Sequence, residues 1–371
     1  MKIMIVLNTA WNLVNFRAGL IRALAAQGHE VVAVAPDDEY AHRLAELGCR
    51  FVALPMDNKG THPGRDLLLF FRFLKLLRRE RPDVYLGYTI KPNIYGSLAA
   101  HVMGVPVVNN IAGLGTVFIR DNWLTRLVRA LYKTAMSRSH HVFFQNNEDM
   151  SMFIERRMVA AGKVSRLPGS GIDLDIFDFV PLRPVENRPF IFLLVARLLW
   201  DKGVGEYVEA ARIIRNKYPS VRFQLLGFLD VINKTAVTRA QMDAWVEEGV
   251  VEYLGVTDDV KPYLIAADSV VLPSYREGVP RSLLEAAAIG RPIVTTDAVG
   301  CRDAVEDGAN GFLCRVADAG DLADKMIKMI DLGNADRAKM ARAGRRKMEL
   351  EYDEKFVITS YLQIIEGIRI G

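Results

Sequence analysis

Residues 190–217 read FIFLLVARLLWDKGVGEYVEAARIIRNK. Phe190–Val195 is an unbroken apolar run with no strict alternation of polar residues. That pattern predicts a parallel strand covered on both faces. From Gly203 to Lys217 the apolar residues recur at helical spacing. Between the two lies a short loop carrying Arg197 and Lys202. Strand, cationic loop and helix make one βα unit, and that unit sets the reading of the rest.

The same alternation extends in both directions. Upstream, Lys2–Leu7, Glu30–Ala35, Arg50–Leu54, Val84–Gly87, Val107–Ile111 and Val142–Phe144 read as strands, with helical patterns at Phe16–Gln27, Glu39–Leu47 and Asp66–Arg79. Downstream, Val221–Leu226, Val250–Tyr253, Ser269–Leu272 and Pro292–Thr295 continue the strands. Helical stretches follow at Val260–Ala267, Arg281–Ile289, Asp321–Asp331, Ala335–Leu350 and Glu354–Ile368. Repeating βα units predict an α/β protein with doubly wound parallel sheets. Pro181, Pro184 and Pro189 bracket a polar linker, so two Rossmann-like domains facing across a cleft are expected, with boundaries at 1–183 and 184–353. Ligands of such sheets bind beyond the carboxyl ends of the strands.

Length and composition agree. The chain has 371 residues, 50% hydrophobic and 25% charged, which excludes wholesale disorder and leads to two domains. A net charge of +4 is too small to imply a nucleic-acid partner, but it hides an asymmetry. Residues 1–185 carry 23 Lys/Arg against 16 Asp/Glu, and residues 186–371 carry 25 against 28. A basic front half and an acidic back half predict different partners for each. Three cysteines (Cys49, Cys301, Cys314) with no CxxC pair argue for a reducing compartment and against a zinc site. The strand pattern begins at Lys2, so no signal peptide is expected. The uncharged run Pro92–Ile119 is interrupted by Asn93, Pro106, Asn109 and Asn110, so it reads as helix, turn and strand rather than a membrane span.

In the front half, the turn after the first strand is Asn8-Thr9-Ala10-Trp11-Asn12. It lacks the GxGxxG of a dinucleotide fold, which disfavours a dehydrogenase. Asn8, Asn12 and Asn15 are candidates to bind hydroxyls or an anion, or simply to satisfy their own backbone. Lys91-Pro92-Asn93 and Gly113-Leu114-Gly115 follow strands and are candidate acceptor or phosphate loops, or plain turns. In Asp66–Arg79, the basic residues Arg72, Lys75, Arg78 and Arg79 share one side of a helix otherwise almost wholly Leu and Phe. Asn122–Arg138 adds Arg126, Arg129 and Lys133 beside Trp123, with no acid. Singly, each is a core helix with a solvated face. Together with the basic half, they predict peripheral contact with an anionic membrane surface.

In the back half, Arg197 and Lys202 flank a loop that opens a helix, a favourable place for a diphosphate. Glu277-Gly278-Val279-Pro280-Arg281 leads to Glu285, two carboxylates suited to vicinal hydroxyls of a sugar or ribose. Gly300-Cys301-Arg302 is a candidate to present backbone N–H groups to phosphate. Asp173-Leu174-Asp175 matches a metal–nucleotide pattern but looks like a turn. The six histidines show no HxxxH spacing, so no metal site is expected. Cys301 has no histidine partner for thiol catalysis.

Arg197…Lys202-Gly203, the EX7E pair Glu277 and Glu285, and Asp297…Gly300 resemble the GT-B retaining glycosyltransferases of family 4, along the whole chain. Asn15-Phe16-Arg17, Lys91-Pro92-Asn93 and Leu272–Gly278 are similar to members that extend undecaprenyl-diphosphate-linked sugars. The resemblance implies a UDP-sugar donor, most often an N-acetylhexosamine, a polyprenyl-diphosphate-linked sugar acceptor, retention without a metal or other cofactor, and a place on the inner face of the cell membrane. Arg197 and Lys202 would neutralise the leaving diphosphate, Glu285 would hold the ribose, Glu277 the donor sugar, and the Cys301-Arg302 segment would line the phosphates. The last segment, 354–371, would cross back to the first domain. Two departures stand out. Thr9-Ala10-Trp11-Asn12 replaces the family's frequent Gly-Gly, and a histidine is missing near Lys91. A soluble UDP-sugar enzyme of the same fold and a non-catalytic nucleotide-sugar binding module are the alternatives.

Overall fold

The computed structural model describes residues 1–57, 62–113, 123–229, 231, 233 and 235–370. It forms two compact units, Met1–Ser170 with Glu354–Gly371, and Gly171–Asp353. The first holds seven strands: β1 (Lys2–Val6), β2 (Glu30–Ala35), β3 (Arg50–Ala53), β4 (Val84–Tyr88), β5 (Val107–Ile111), β6 (His141–Phe144) and β7 (Val164–Arg166). Its helices are α1 (Ala10–Ala26), α2 (Pro63–Glu80), α3 (Ser97–Val102), α4 (Trp123–Met136) and α5 (Asn147–Glu155). The second holds β8 (Ile191–Val195), β9 (Arg222–Leu226), β10 (Glu252–Tyr253), β11 (Ser269–Leu272), β12 (Ile293–Thr296) and β13 (Gly311–Cys314). Its helices are α6 (Val204–Arg215), α7 (Arg239–Glu247), α8 (Lys261–Ala266), α9 (Arg281–Ile289), α10 (Ala319–Asp331) and α11 (Asn334–Lys347); α12 (Glu354–Ile370) closes the chain.

Both sheets are parallel and both follow one strand order. The first runs β3-β2-β1-β4-β5-β6-β7 and the second β10-β9-β8-β11-β12-β13. Each therefore reverses direction once, between β1 and β4 and between β8 and β11, and the loops leaving those paired strands open a crevice at the carboxyl edge. The strands lack polar alternation because both faces are covered. Ile3 and Ile5 of β1 enter the core under α1 and α12, whereas Met4 and Val6 enter the core under α2 and α3. In β8, Phe192 and Leu194 face one core and Leu193 the other.

Three expectations are corrected. The unit boundary falls at 170/171, not at 183/184. Ile172 and Phe177 are buried in the second unit's core, and Ile172 N donates to Tyr352 O at 2.8 Å, before the prolines are reached. Prolines mark where the polar segment lies, not where the apolar side chains change core. Second, Ala41–Leu47 is a tight 3-10 turn closed by Gly48 at φ +79° rather than an α-helix. Third, Lys91-Pro92-Asn93 is not a loop. The chain turns at Thr89 and runs into a wide helical turn, Pro92–Gly96, that continues into α3. Periodicity also left unread the edge strands β7 and β13, three and four residues long, and the helices α5 and α7.

Among the described residues, no helix is long and apolar enough to cross a membrane.

Candidate active site

The switch point of the second sheet gathers three loops. The segment after β8 ends in a 3-10 turn, Trp200–Lys202, capped by Gly203 at φ +74°. A Cβ on Gly203 would lie 2.1 Å from Pro273 O, so only glycine lets this turn press on the loop after β11. Asp201 stitches the two. Its carbonyl accepts from Tyr275 N at 3.0 Å and from Ser274 Oγ at 3.2 Å, while its carboxylate accepts from Thr235 Oγ1 at 3.0 Å. The loop after β12 closes from the other side. Glu277 N donates to Val299 O at 3.0 Å, and Thr295 Oγ1 donates to Leu272 O at 2.6 Å. Gly300, at φ +80°, has space only for hydrogen, because a Cβ would meet Gly278 O at 2.2 Å.

This frame brings Lys202 onto Glu277: the ammonium and carboxylate form a direct ion pair, with the side chains 18% and 13% exposed. Eight residues on, Glu285 on α9 accepts from Arg281 Nε at 2.9 Å. Burial raises the Glu285 carboxyl above its ordinary value, and Arg281 only partly offsets this. Gly278 and Val279 are half-buried in the connecting loop, and Pro280 is buried at the N-cap of α9. Arg197 is exposed on the loop after β8, with no side-chain partner among the described residues. The N-cap of α6 is Gly203, which offers no side chain to the helix's first N–H groups.

The third expected segment differs in part. The amides of Cys301 and Arg302 do not point outward, since both donate to Ala298 O at 3.1 and 3.0 Å. The Cys301 thiol is buried and pushed up to about 12. What this loop presents is the Arg302 guanidinium, held by Asp297 at 2.8 Å. Asp173 behaves as a turn residue, its Oδ1 accepting from Asp175 N and Ile176 N at 3.0 Å. Among the described residues, no group of three or more His, Cys, Asp or Glu is placed to hold a metal ion.

In the first unit most polar candidates are satisfied internally. Asn8 Oδ1 accepts from Asn12 Nδ2 at 2.8 Å, and Asn15 Nδ2 donates to Trp11 O at 2.9 Å. The start of α1 is already met by a carboxylate, because Ala10 N and Trp11 N donate to Asp38 Oδ2 at 2.8 and 3.3 Å. This first turn is thus not an open anion site. Asn93 is 1% exposed and belongs to the core. Its Nδ2 donates to Asn110 O, and its Oδ1 accepts from Asn109 Nδ2, both at 2.9 Å. Lys91 is instead paired with buried Asp66 at 2.9 Å. Gly113 has φ +129°, while Gly115 lies outside the described residues. On α2, Lys75, Arg78 and Arg79 are exposed and Arg72 half-buried, but the outer arc also carries Leu67, Leu68 and Phe71. On α4, Arg126 and Lys133 are exposed with Leu127, and Arg129 is half-buried; Trp123 opens the helix, its side chain outside the description. Asp38, Asp66 and Asp201 were not singled out from sequence, since a lone aspartate carries no spacing signal.

Fold and site together define a two-domain α/β protein of the GT-B class. A profile for glycosyl transferases group 1 matches residues 189–331, and one for a glycosyl transferase 4-like domain matches residues 15–169. The chain is 29% identical to the N,N′-diacetylbacillosaminyl-diphospho-undecaprenol alpha-1,3-N-acetylgalactosaminyltransferase of Campylobacter jejuni, over 95% of each chain. It is 30% identical to a glycogen synthase of Mycobacterium tuberculosis, over 95% of this chain and 90% of that one. Among solved structures, Anabaena HepE in complex with UDP-glucose superposes with a TM-score of 0.80 at 19% identity, over the full length of both. The chain belongs to the family 4 glycosyltransferases.

Proposed function

We propose that the protein transfers an N-acetylhexosamine, N-acetylgalactosamine first among them, from a UDP-sugar to an undecaprenyl-diphosphate-linked sugar, with retention, at the inner face of the cell membrane. The observation that carries the reading is the Lys202–Glu277 pair, fixed at the switch point by three interlocked loops. The likeness to the Campylobacter jejuni enzyme supports the acceptor class, and the likeness to a UDP-glucose complex supports the donor class.

In this reading the bond between the anomeric carbon and the diphosphate oxygen breaks while the acceptor oxygen bonds to that carbon on the same face. The acceptor proton passes to the departing diphosphate. Negative charge grows on that diphosphate in the transition state. Arg197 and Lys202 are cations placed beforehand for that charge, so they stabilise the transition state more than the ground state. They take the part a metal ion plays elsewhere, and the proposal needs no cofactor. Glu285 receives the ribose hydroxyls and Glu277 those of the donor sugar, with Gly278, Val279 and Pro280 setting the loop between them. Arg281 and Arg302 lie on the segments that border the donor. The exposed cations of α2 and α4 meet anionic lipid.

The test is transfer of labelled N-acetylgalactosamine from UDP to an undecaprenyl-diphosphate-linked sugar. Transfer is expected, and Lys202→Ala should lower kcat by about 10²–10³ with an unchanged circular-dichroism spectrum. No transfer from any UDP-hexosamine would refute the proposal. Transfer to a free sugar alone would replace the lipid-linked acceptor with a soluble one, and UDP binding without any turnover would make the chain a binding module.

A further inference from the structure

At the carboxyl edge of the first sheet, a cavity of about 200 Å³ opens between the end of β3, the first turns of α2 and the turn after β4. Arg65, Arg72 and Lys91 line it, with Asp57, Leu68 and Leu69. We propose that this cavity seats the diphosphate of a polyprenyl-diphosphate acceptor, and that Leu67, Leu68 and Phe71 receive the first isoprene units. The proposal rests on the acceptor class given above and adds the place where that acceptor is held.

Four observations converge. The first is size: 200 Å³ is below the roughly 300–1,000 Å³ of pockets that take drug-sized ligands, so the cavity suits a headgroup and not a whole nucleotide sugar. The second is charge. Two of the three cations, Arg65 and Arg72, come from α2 and the third, Lys91, from the turn after β4, and each keeps donors in reserve. Arg72 Nη1 donates to Pro55 O at 2.8 Å, and Arg65 meets Asp57 at 3.3 Å in a pair exposed on both sides. An exposed pair of that kind is weak, and a guanidinium exchanges it readily for bidentate phosphate oxygens. Lys91 remains paired with Asp66, so the lining is cationic by one charge, against the two negative charges of a diphosphate diester.

The third observation is strain. Lys91 follows Thr89, a β-branched residue at φ +61°, and precedes the wide turn Pro92–Gly96. Such a backbone persists only where the surrounding structure imposes it, and here it delivers Lys91 to the cavity. The fourth is the neighbouring surface. Leu67, Leu68 and Phe71 are 57%, 50% and 55% exposed, one helical turn of apolar side chains next to a basic hollow. A soluble headgroup has no use for that surface. A bare anionic membrane has no use for a concave, size-limited cavity. A diphosphate ester with a long apolar chain uses both.

The experiment measures binding, not transfer, on the full chain with saturating UDP to occupy the donor side. The probes are farnesyl diphosphate, inorganic diphosphate and farnesol, followed by equilibrium dialysis. Farnesyl diphosphate should bind at least tenfold tighter than either fragment. Arg65→Gln with Arg72→Gln should weaken both diphosphates at least tenfold. Leu67→Ser, Leu68→Ser and Phe71→Ser together should weaken farnesyl diphosphate about tenfold and leave inorganic diphosphate as it was. UDP affinity reports that each variant has folded. Equal binding of farnesyl diphosphate and inorganic diphosphate by the parent chain would overturn the proposal, as would unchanged farnesyl diphosphate binding in the cation variant. So would a cation variant that loses only flotation with phosphatidylglycerol vesicles, which would reassign the face to bulk lipid. Binding as expected without any sugar transfer would overturn the proposed reaction and leave this site standing; transfer with no effect of either variant would do the reverse.

Discussion

Gly300→Ala tests whether the interlocked loops position Glu277. Two costs are built into this change. Gly300 sits at φ +80°, a region that costs an L-residue about 1–2 kcal/mol. Its new Cβ would also stand 2.2 Å from Gly278 O and 2.6 Å from Glu277 O, where ordinary contact begins at 3.4 Å. The loop that carries Glu277 must therefore retreat by about 1 Å, a displacement that can cost ~10²-fold in rate. Gly308 supplies the control. It has the same φ of +80° and nothing within 4 Å of a built Cβ, so Gly308→Ala carries the backbone cost alone. Thermal unfolding and kcat/KM for the UDP-sugar are measured on both. Gly308→Ala should lose about 1–2 kcal/mol, and activity should stay within twofold. Gly300→Ala should lose a further ~1–3 kcal/mol from overpacking, at about 2–4 °C in Tm per kcal/mol, with kcat/KM down about 100-fold. If the two variants match in stability and Gly300→Ala keeps activity within threefold, the apposition of these loops does not position the carboxylate.

Three further outcomes are expected. Asn93→Ala removes partners from Asn109 and Asn110, so it should destabilise by about 1–3 kcal/mol in urea unfolding while acceptor KM stays within twofold; a large rise in KM at unchanged stability would return Asn93 to the acceptor site. Burial raises the Glu285 carboxyl, and the carboxylate accepts from two ribose hydroxyls at once where the protonated acid keeps only one good acceptor, so as pH falls kcat/KM for the donor should drop along a limb lying above the ordinary value of about 4.3; Glu285→Gln should lack that limb. Burial holds Cys49 at about 11 and Cys301 and Cys314 at about 12, so iodoacetamide at pH 8 should leave the native chain unmodified by mass spectrometry and label all three cysteines in denaturant.

The fold was legible because parallel strands buried on both faces leave a strong mark. Residues 191–195 are apolar throughout, and both β1 and β8 divide their side chains between two cores. Strand order was not legible as such, since pairing is non-local and nothing in β11 names β8 as its neighbour. The unit boundary was misread for a similar reason: the burial of Ile172 against Met348 and Tyr352 joins residues far apart in sequence. For the donor side, Lys202, Glu277 and Glu285 stood out because charges at the carboxyl ends of apolar runs have few structural uses. For the acceptor side, the asparagines were open to two readings. An amide serves equally as a ligand contact and as internal glue, and only the partners of Asn93 and Asn8 separate the two. Arg65 and Asp66 passed unnoticed because a charge in the first turn of a helix is the commonest of surface features.

The proposed donor site is held in a self-satisfied state, and this bears on how it would select its substrate. Lys202 rests on Glu277, Arg281 on Glu285 and Arg302 on Asp297, while Arg197 has no side-chain partner among the described residues. Under the proposed roles, a diphosphate that takes Lys202 leaves the Glu277 carboxylate uncompensated in a largely buried place, which is costly. UDP by itself incurs that cost. A UDP-sugar removes it, because the sugar's hydroxyls become the carboxylate's new donors. In that reading the pair couples recognition of the diphosphate to recognition of the sugar behind it, and it favours the intact donor over the product UDP. Net charge of the acidic half is irrelevant to this step. What matters is that one lysine and one glutamate are locked together by Gly203 and Gly300, each lacking the space for even a methyl group.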